Sequence, residues 1–351
     1  MMLLAAQNTG STSDSLMNRP FNGLLPAAAS GAPASRVAMG CWALSGDSTW
    51  GEQPEALSHE TIHRALDAGI NVFDTAEAYG NGRSEEVLGR GLTGRRAEAL
   101  VATKFNQDYT RAIEVEQACE RSLRRLETDY IDVYQMHWPS RRLPYPELLE
   151  AVNRLLASGK IRAFGFSNFG PRDIQDAGVA RCRAVANQVP YSLLWRTVEY
   201  DVAPSSADAD IGLLCYSPLA QGLLTGKFVT ADAVPVGRAR TRLFSGSRPQ
   251  ARHGETGVEE ETFRTLQALR RAASAYDVDL SQAAIAWLLG RPGVTGVIVG
   301  MRTPEQVISA ASAARVSLPP PLIEGLGQLT EPLKERIGRN PDMWFSDSRY
   351  R

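Results

Sequence analysis

Four residues bring an acid, a phenol, an ammonium group and an imidazole together in chain order: Asp74, Tyr79, Lys104 and His137. Each lies at or just after the end of a short apolar run that is typical of a β-strand. Because parallel strands of an α/β enzyme deliver their reactive groups at the carboxyl ends, we expect these side chains to meet. Taken singly, each also fits an ordinary role as a cap, a turn residue or a solvated charge, but their joint placement favours chemistry.

The chemistry that this set predicts is protonation of a carbonyl oxygen. The pKa of a phenol is ordinarily about 10, so Tyr79 donates a proton readily only if a neighbouring cation stabilises its phenolate. Lys104 is the candidate cation, and Asp74 would keep that lysine charged. His137 offers an N–H that can polarise the same carbonyl. The set contains no obvious nucleophile and no metal cage.

At these positions the chain resembles the aldo-keto reductases. The resemblance rests on Asp-x4-Tyr-Gly at 74–80, Gly-x-Ser-Glu-x-x-Leu-Gly at 82–89, Lys104, His-Trp-Pro at 137–139 and Gly-Phe-Ser-Asn-Phe at 165–169, and it covers roughly residues 36 to 315. It implies that the tyrosine donates the proton, that the lysine and the aspartate tune it, and that the histidine orients the carbonyl. The expected activity is NADPH-dependent reduction of an aldehyde or ketone to an alcohol.

None of the four residues can supply a hydride, so the reduction requires a redox cofactor. The resemblance implies that Ser167, Asn168 and Gln188 hold the carboxamide of a nicotinamide and that Tyr216 stacks on its ring. We assign further cofactor contacts to loops that follow the first, seventh and eighth predicted strands: Gly40, Cys41, Trp42, Ser217, Pro218, Leu219, Gln221, Lys227, Gly300, Arg302 and Gln306.

Two features predict where the phosphates of the cofactor bind. Lys227 and one arginine of the following loop are expected to hold the pyrophosphate; the loop offers Arg238, Arg240, Arg242 and Arg248. After the eighth strand, Thr303 and Pro304 predict a helix start, which is a ready anion site. Arg302 beside it is placed to meet a ribose 2′-phosphate, which favours NADPH over NADH.

One departure from the resembled family concerns the adenine. A Glu-Asn pair usually contacts it there, and the matching positions here are Ser309 and Ala310. The adenine contact is therefore expected to differ.

The elements that must position these residues alternate between apolar runs and amphipathic stretches. Eight strands are predicted near 37–40, 70–74, 99–104, 130–136, 161–166, 185–189, 212–216 and 295–299. This number of strands in about 280 residues predicts an α/β fold, a single-domain (β/α)8 TIM barrel with long βα loops at its C-terminal face. An open dinucleotide-binding sheet is disfavoured, because no G-x-G-x-x-G follows the first strand.

The same reading divides the chain into three segments. Residues 1–34 are expected to be a loosely ordered leader, 35–318 the barrel, and 319–351 a C-terminal helix and tail over the barrel. The stretch 226–257 is too long for an ordinary βα loop, so we expect a lid or a disordered segment. The tail could cross the barrel mouth or form an oligomer contact. Trp42, Trp50 and Trp138 are candidates for a substrate wall.

Composition restricts the possible partners. There are 38 Lys and Arg against 39 Asp and Glu, a net charge of −1, which disfavours nucleic acid and anionic membranes and leaves small molecules or proteins. The cysteines Cys41, Cys119, Cys182 and Cys215 contain no C-x-x-C pair, which argues against a disulfide scaffold or zinc site and suits a reducing cytosol. The absence of a signal-like or membrane-spanning run predicts a cytoplasmic protein.

Two alternatives to a reductase remain open at this point, as do the carbonyl substrate and the oligomeric state. Barrels similar to this one serve as nicotinamide-binding regulatory subunits of membrane channels, and an intact tetrad does not exclude that role. An NADP-dependent alcohol or sugar dehydrogenase would use the same residues in the opposite direction.

Overall fold

The computed structural model describes residues 27–178 and 184–351. Residues 1–26 of the predicted leader and Cys182 lie outside the described residues. The remaining part of that leader, which we expected to be loose, contains Ala28 and Ala34, and both are buried against the inner face of the barrel. Small apolar side chains at these two positions explain why this stretch packs instead of remaining in solvent.

Eight parallel strands close into a barrel in chain order, with β8 paired to β1. This confirms the predicted (β/α)8 barrel. The strands, β1 to β8, are Val37–Gly40, Val72–Asp74, Leu100–Phe105, Ile131–Met136, Ile161–Ser167, Ala186–Pro190, Gly212–Tyr216 and Val294–Gly300.

Helices surround the barrel in the described ranges and shield the outward side of its strands. We number them α1 to α10: Glu55–Asp67, Arg83–Gly91, Ala112–Arg125, Tyr145–Ala157, Pro171–Asp176, Val202–Asp208, Glu259–Ser274, Leu280–Leu289, Pro304–Ala313 and Pro320–Ile337. The predicted start of the helix after β8 is confirmed, because the Thr303 side chain accepts a hydrogen bond from the Gln306 amide and Pro304 is the first residue of α9.

The strand period of two residues determines which side chains enter the barrel. Leu100 and Ala102 of β3 lie in the inner apolar cluster, whereas Val101 between them packs outward against the helices. Continuing the alternation places Lys104 on the inner side at the carboxyl end of the strand. The same alternation continues from Val72 to Asp74 in β2, and it also places polar residues at the inner carboxyl ends of β5, β6 and β7: Ser167, Gln188 and Tyr216.

The long segment between β7 and α7 is ordered by its own small core. Val234, Leu243 and Phe244 are buried, and Arg242 is only 6% exposed. Gly257 has a φ of +72°, and a Cβ there would lie 2.2 Å from the Phe244 carbonyl oxygen, so the turn into α7 requires glycine. This segment packs against the C-terminal residues, since the Arg242 amide donates to the Met343 carbonyl.

Candidate active site

The ammonium group of Lys104 lies at the centre of the predicted tetrad. Its Nζ is 2.7 Å from Asp74 Oδ1, 2.9 Å from the Thr75 carbonyl oxygen and 3.2 Å from the Tyr79 hydroxyl. Lys104 is fully buried and Asp74 is nearly so. A buried charge pair of this kind requires close geometry and additional hydrogen bonds, both of which are present.

Burial and neighbouring charges have opposite effects on the pKa values of Tyr79 and Lys104. Desolvation raises the pKa of Tyr79, and the neighbouring Lys104 offsets only part of that increase. For Lys104, burial lowers the pKa, but Asp74 and Tyr79 more than compensate, so the pKa stays above its ordinary value. The expected acidification of Tyr79 by its lysine is therefore outweighed by burial, and Tyr79 is a neutral phenol at physiological pH.

His137 faces the same phenol. The His137 and Tyr79 rings are perpendicular with centroids 5.7 Å apart, and the Trp42 ring stacks on the Tyr79 ring with centroids 5.2 Å apart. Burial, with a smaller contribution from Lys104, lowers the pKa of His137 to about 3. The imidazole is therefore neutral and can donate one N–H to a substrate oxygen.

The residues behind the tetrad hold it in place. Gln188 Nε2 donates to Asp74 Oδ2 at 2.8 Å, which fixes the carboxylate from the opposite wall of the barrel. In the 82–89 motif, buried Ser84 donates to the Cys41 carbonyl oxygen, and buried Glu85 accepts hydrogen bonds from Thr103 and Arg125. These motif residues anchor the start of α2 to β3 and do not face the tetrad.

Asn168 is the most constrained of the predicted cofactor residues. It has a left-handed φ of 64°. Its Nδ2 donates to the His137 carbonyl and to Ser167 Oγ, and its Oδ1 accepts from the hydroxyls of Tyr216 at 3.0 Å and Tyr350 at 2.6 Å. All four hydrogen-bond positions of this amide are used. A carboxamide that binds Asn168 must share Oδ1 with a tyrosine or displace it.

A single cavity of about 680 Å³ opens above the tetrad, within the size range of small-molecule sites. Two predicted site residues do not line it. Lys104 lies behind Asp74, and Cys41 is fully buried at the start of the first loop, which is the segment 41–54 between β1 and α1. The structure brings the other predicted residues together around it: Gly40, Trp42, Asp74, Tyr79, His137, Ser167, Asn168, Gln188, Tyr216, Ser217, Pro218, Leu219, Gln221, Lys227, Gly300, Arg302 and Gln306.

At the far end of the cavity, Lys227 and Arg302 lie near the start of α9. The Arg302 guanidinium donates to the Trp50 carbonyl at 2.7 Å, the Glu52 carbonyl at 2.5 Å and the Gln53 side chain at 2.8 Å. In this structure it thus clamps the first loop while its charge faces no carboxylate within ion-pair distance in the described ranges. Desolvation and the positive charge of Arg302 both lower the pKa of Lys227.

Four of the five arginines in the segment 226–257 divide into two pairs, and the fifth, Arg252, also lines the cavity. Arg242 and Arg248 are structural, because each forms an ion pair with a glutamate, Glu255 and Glu259 respectively. Arg238 and Arg240 line the cavity, and the Nε of each is buried without a hydrogen-bond partner among the described residues.

Several residues that line the cavity were not predicted from sequence. Asp47 accepts a hydrogen bond from Trp42 Nε1 at 2.8 Å, and Trp344, Phe345 and Arg349 reach the cavity from the C-terminal tail. The two aromatics in that tail were the available signal, but their position required the course of the chain. All three tryptophans that were predicted to form a substrate wall line the cavity: Trp42, Trp50 and Trp138.

Within residues 27–178 and 184–351, no cluster of three or more His, Cys, Asp or Glu side chains is arranged to hold a metal. No helix in these ranges is long and apolar enough to cross a membrane.

Comparison with known proteins agrees with this geometry. The sequence model of the Aldo/keto reductase family matches residues 36–327. Aldo-keto reductase YhdN of Bacillus subtilis is 36% identical over 289 residues, covering 79% of this chain and 84% of that protein. A probable voltage-gated potassium channel subunit beta of Oryza sativa is 30% identical over 303 residues, covering 82% and 89% respectively.

A similar solved structure is an aldo-keto reductase from Klebsiella pneumoniae in complex with NADPH. It is 27% identical, has a TM-score of 0.66, and the match covers 88% of this chain and 94% of that one.

A closed eight-stranded barrel with the Lys104–Asp74 ion pair beneath one cavity, and the Tyr79 hydroxyl hydrogen-bonded to that lysine, is the architecture of a barrel oxidoreductase. With the family match over residues 36–327, the chain belongs to the aldo/keto reductase family.

Proposed function

We propose that the protein is an NADPH-dependent reductase of a small aldehyde or ketone. The observation that carries this proposal is the Tyr79 hydroxyl, which is 3.2 Å from the buried Lys104 ammonium and faces a cavity of about 680 Å³. A neutral phenol next to a permanently charged lysine can release its proton and have the resulting phenolate stabilised at once.

The residues around the cavity fit NADPH. Tyr216 presents an aromatic ring near the tetrad, and Ser167 and Gln188 offer polar atoms for a carboxamide. Lys227, Arg238 and the start of α9 supply positive charge for phosphates at the other end. When bound, NADPH supplies the hydride for the carbonyl carbon, which none of these side chains can provide.

Each member of the tetrad has a separate task in this mechanism. His137, being neutral, donates its N–H to the carbonyl oxygen and orients it. Tyr79 then transfers its proton to that oxygen, and Lys104 stabilises the phenolate that remains. Asp74 keeps Lys104 charged and in place, and Gln188 holds Asp74. Trp42 stacks on Tyr79 and limits access of water to one side of the phenol.

Substitution of Tyr79 tests the proposed proton donor. We expect the wild-type protein to oxidise NADPH in the presence of some members of a panel of aldehydes, diketones and sugars. Tyr79→Phe removes only the hydroxyl, so kcat should fall at least about 100-fold while NADPH affinity, measured by fluorescence titration, changes little. A Tyr79→Phe protein that keeps most of its kcat would reject Tyr79 as the donor.

A second candidate function is a nicotinamide-binding regulatory subunit, which the similarity to the rice potassium channel subunit beta favours. The same experiment separates the two. Turnover with any panel member supports the reductase, whereas tight NADPH binding without turnover, together with a channel partner, supports the subunit. Turnover that proceeds only from alcohol and NADP⁺ would indicate the reverse reaction.

A further inference from the structure

Arg240 is a cation at the substrate end of the cavity that the proposed mechanism does not use. Its guanidinium carbon lies 5.5 Å from the centre of the Trp42 ring and 4.9 Å from that of Trp344. Two indoles therefore hold the planar guanidinium between the first loop and the C-terminal tail. Trp42 in turn stacks on Tyr79, so only one ring separates Arg240 from the proposed proton donor.

The charge of Arg240 is not neutralised by the described protein groups. No carboxylate in the described ranges lies within ion-pair distance, and its buried Nε has no hydrogen-bond partner there. Asp47 is the nearest acid that affects it, but the Asp47 oxygens accept hydrogen bonds from Trp42 Nε1 and from the Thr49 and Trp50 amides. A buried unpaired donor in a ligand cavity suggests a group supplied by the ligand.

Two other cations near the substrate end are already engaged. Arg349 forms a two-pronged ion pair with Asp342, with N–O distances of 2.6 and 2.9 Å, while its guanidinium stacks on Trp138. The Lys104 ammonium is held by Asp74. Among the described cations at this end of the cavity, Arg240 and the more exposed Arg252 remain without an ion pair, and Arg240 is the one that packs on Trp42, next to Tyr79.

The cofactor phosphates are an unsuitable explanation for Arg240. Arg238, two residues earlier, packs on Phe228 beside Lys227, and Arg302 acts on the charge of both. The three cations Lys227, Arg238 and Arg302 lie near the start of α9. Arg240 instead contacts the tryptophans next to Tyr79, and its charged neighbours are Arg252 and Asp47. The two arginines therefore have different surroundings, Arg238 the cationic group near α9 and Arg240 the tryptophans next to Tyr79.

A close backbone contact fixes this division. A Cβ on Gly237 would lie 2.8 Å from the Thr49 Cα, so glycine permits the long segment to touch the first loop at that point. The contact places the following residues, Arg238 and Arg240, over the cavity.

We infer that Arg240 binds an anionic group of the substrate, so that the protein prefers carbonyl compounds that carry a carboxylate or a phosphate. This inference rests on the proposed reductase function. The carbonyl would lie between Tyr79 and His137, and the anion would meet the guanidinium beyond Trp42. Charge-assisted, two-pronged hydrogen bonds to carboxylate and phosphate are the interactions that arginine forms best.

The first test compares two aldehydes of similar shape that differ in charge, 4-carboxybenzaldehyde and its methyl ester; the ester is the more electrophilic, so intrinsic reactivity does not favour the expected preference. The wild-type kcat/KM should be at least about tenfold higher for the carboxylate. In Arg240→Gln this ratio should fall towards one, whereas Arg240→Lys, which keeps the charge, should retain part of it. Glyceraldehyde 3-phosphate against glyceraldehyde, measured in the same way, distinguishes a phosphate site from a carboxylate site.

Arg238→Gln is the matched control, since it removes an unpaired arginine two residues away. It should raise the KM for NADPH and leave the preference for the carboxylate intact. The inference is overturned if the wild-type protein does not prefer either anionic aldehyde to its neutral partner. The inference is also overturned if the Arg240→Gln protein keeps that preference. The same holds if the substitution slows the reduction of both aldehydes equally by raising the KM for NADPH.

A binding measurement separates this inference from the proposed function. If no aldehyde is turned over, the reductase proposal fails, and benzoate is titrated against methyl benzoate with the NADP⁺-loaded protein. Trp42 and Trp344 flank Arg240, so tryptophan fluorescence should report binding of benzoate, and Arg240→Gln should abolish it. Equal binding of the two compounds by the wild-type protein would remove the anion site.

Discussion

At the scale of single residues, the site depends on groups kept neutral next to groups kept charged. Burial raises the pKa of Tyr79 and lowers that of His137 to about 3, while Asp74 keeps Lys104 protonated. Donor and orienting group thus keep their protons in place across physiological pH. In the proposed mechanism, the separation of these pKa values, and not an acidic tyrosine, prepares the site for proton transfer.

The lowered pKa of His137 predicts a pH dependence of stability. The folded state binds its proton only near pH 3, whereas the unfolded state binds it below the ordinary value of 6.5. Between these values the unfolded state holds more protons, so the free energy of unfolding falls as pH decreases. From pH 6.5 to 5, His137 should contribute a loss of roughly 1.6 kcal/mol, measured by urea unfolding.

His137→Gln provides the comparison for this prediction, because glutamine keeps an N–H donor but cannot titrate. The variant should lose less stability than the wild-type protein over the same pH range, and above pH 7 the two curves should run parallel. Identical losses from pH 6.5 to 5 would show that His137 is not the group responsible.

The proximity of the tetrad residues was predictable from sequence because each lies at the end of a strand or in the loop after it, and strand parity gives the direction of Asp74 and Lys104. Arg240 was visible only as one of five loop arginines, since nothing local distinguishes it from Arg242. Their different roles follow from tertiary contacts, of Arg240 with Trp344 and of Arg242 with Glu255, which the local sequence does not indicate. The bond from Tyr350 to Asn168 spans 182 positions, so no local pattern indicates it.

At the scale of elements, strand positions were predicted to within about two residues, since buried parallel strands read as apolar runs. The sixth was expected at 185–189 and is Ala186–Pro190. The loop after β7 was predicted to contain cofactor contacts. Its backbone conformation was not predicted, and in it Ser217, Ala220 and Gln221 all have positive φ. Three non-glycine residues in this region are unusual and mark strain at a ligand site.

The long segment between β7 and α7 and the C-terminal tail form one wall of the cavity, and Arg242 joins them. Its Nε lies 2.8 Å from Glu255, and NH1 donates to the Asn340 carbonyl at 3.0 Å and the Asp342 carbonyl at 3.1 Å. Arg242→Ala would leave these buried carbonyls unpaired. We expect the free energy of unfolding in urea to fall by about 3 kcal/mol.

Arg248→Ala is the control for Arg242, since it removes another ion-paired arginine of the same segment that is more exposed. It should lower the free energy of unfolding by about 1 kcal/mol or less. If both substitutions lower the free energy of unfolding equally, the Arg242 contacts between the long segment and the tail are not a principal source of stability for this wall of the cavity.

At the scale of the whole molecule, charge is balanced globally but separated locally. The net charge is −1, yet Lys227, Arg238 and Arg302 line one end of the cavity without a carboxylate in ion-pair distance among the described residues. A nearly neutral molecule does not attract anions over long distances, so this local group must provide the attraction. Closed barrels permit such local grouping because every βα loop reaches the same face.

This local charge predicts that salt weakens binding of NADPH more than binding of NADH, because NADPH carries an additional 2′-phosphate. Fluorescence titrations from low salt to about 0.3 M NaCl, over which the screening length falls below about 10 Å, should give the steeper increase in Kd for NADPH. Arg302→Ala should reduce the difference between the two slopes, since it removes one of the three charges. Equal slopes in the wild-type protein would mean that the 2′-phosphate does not meet this group, and its recognition would then depend on uncharged donors such as the amides at the start of α9.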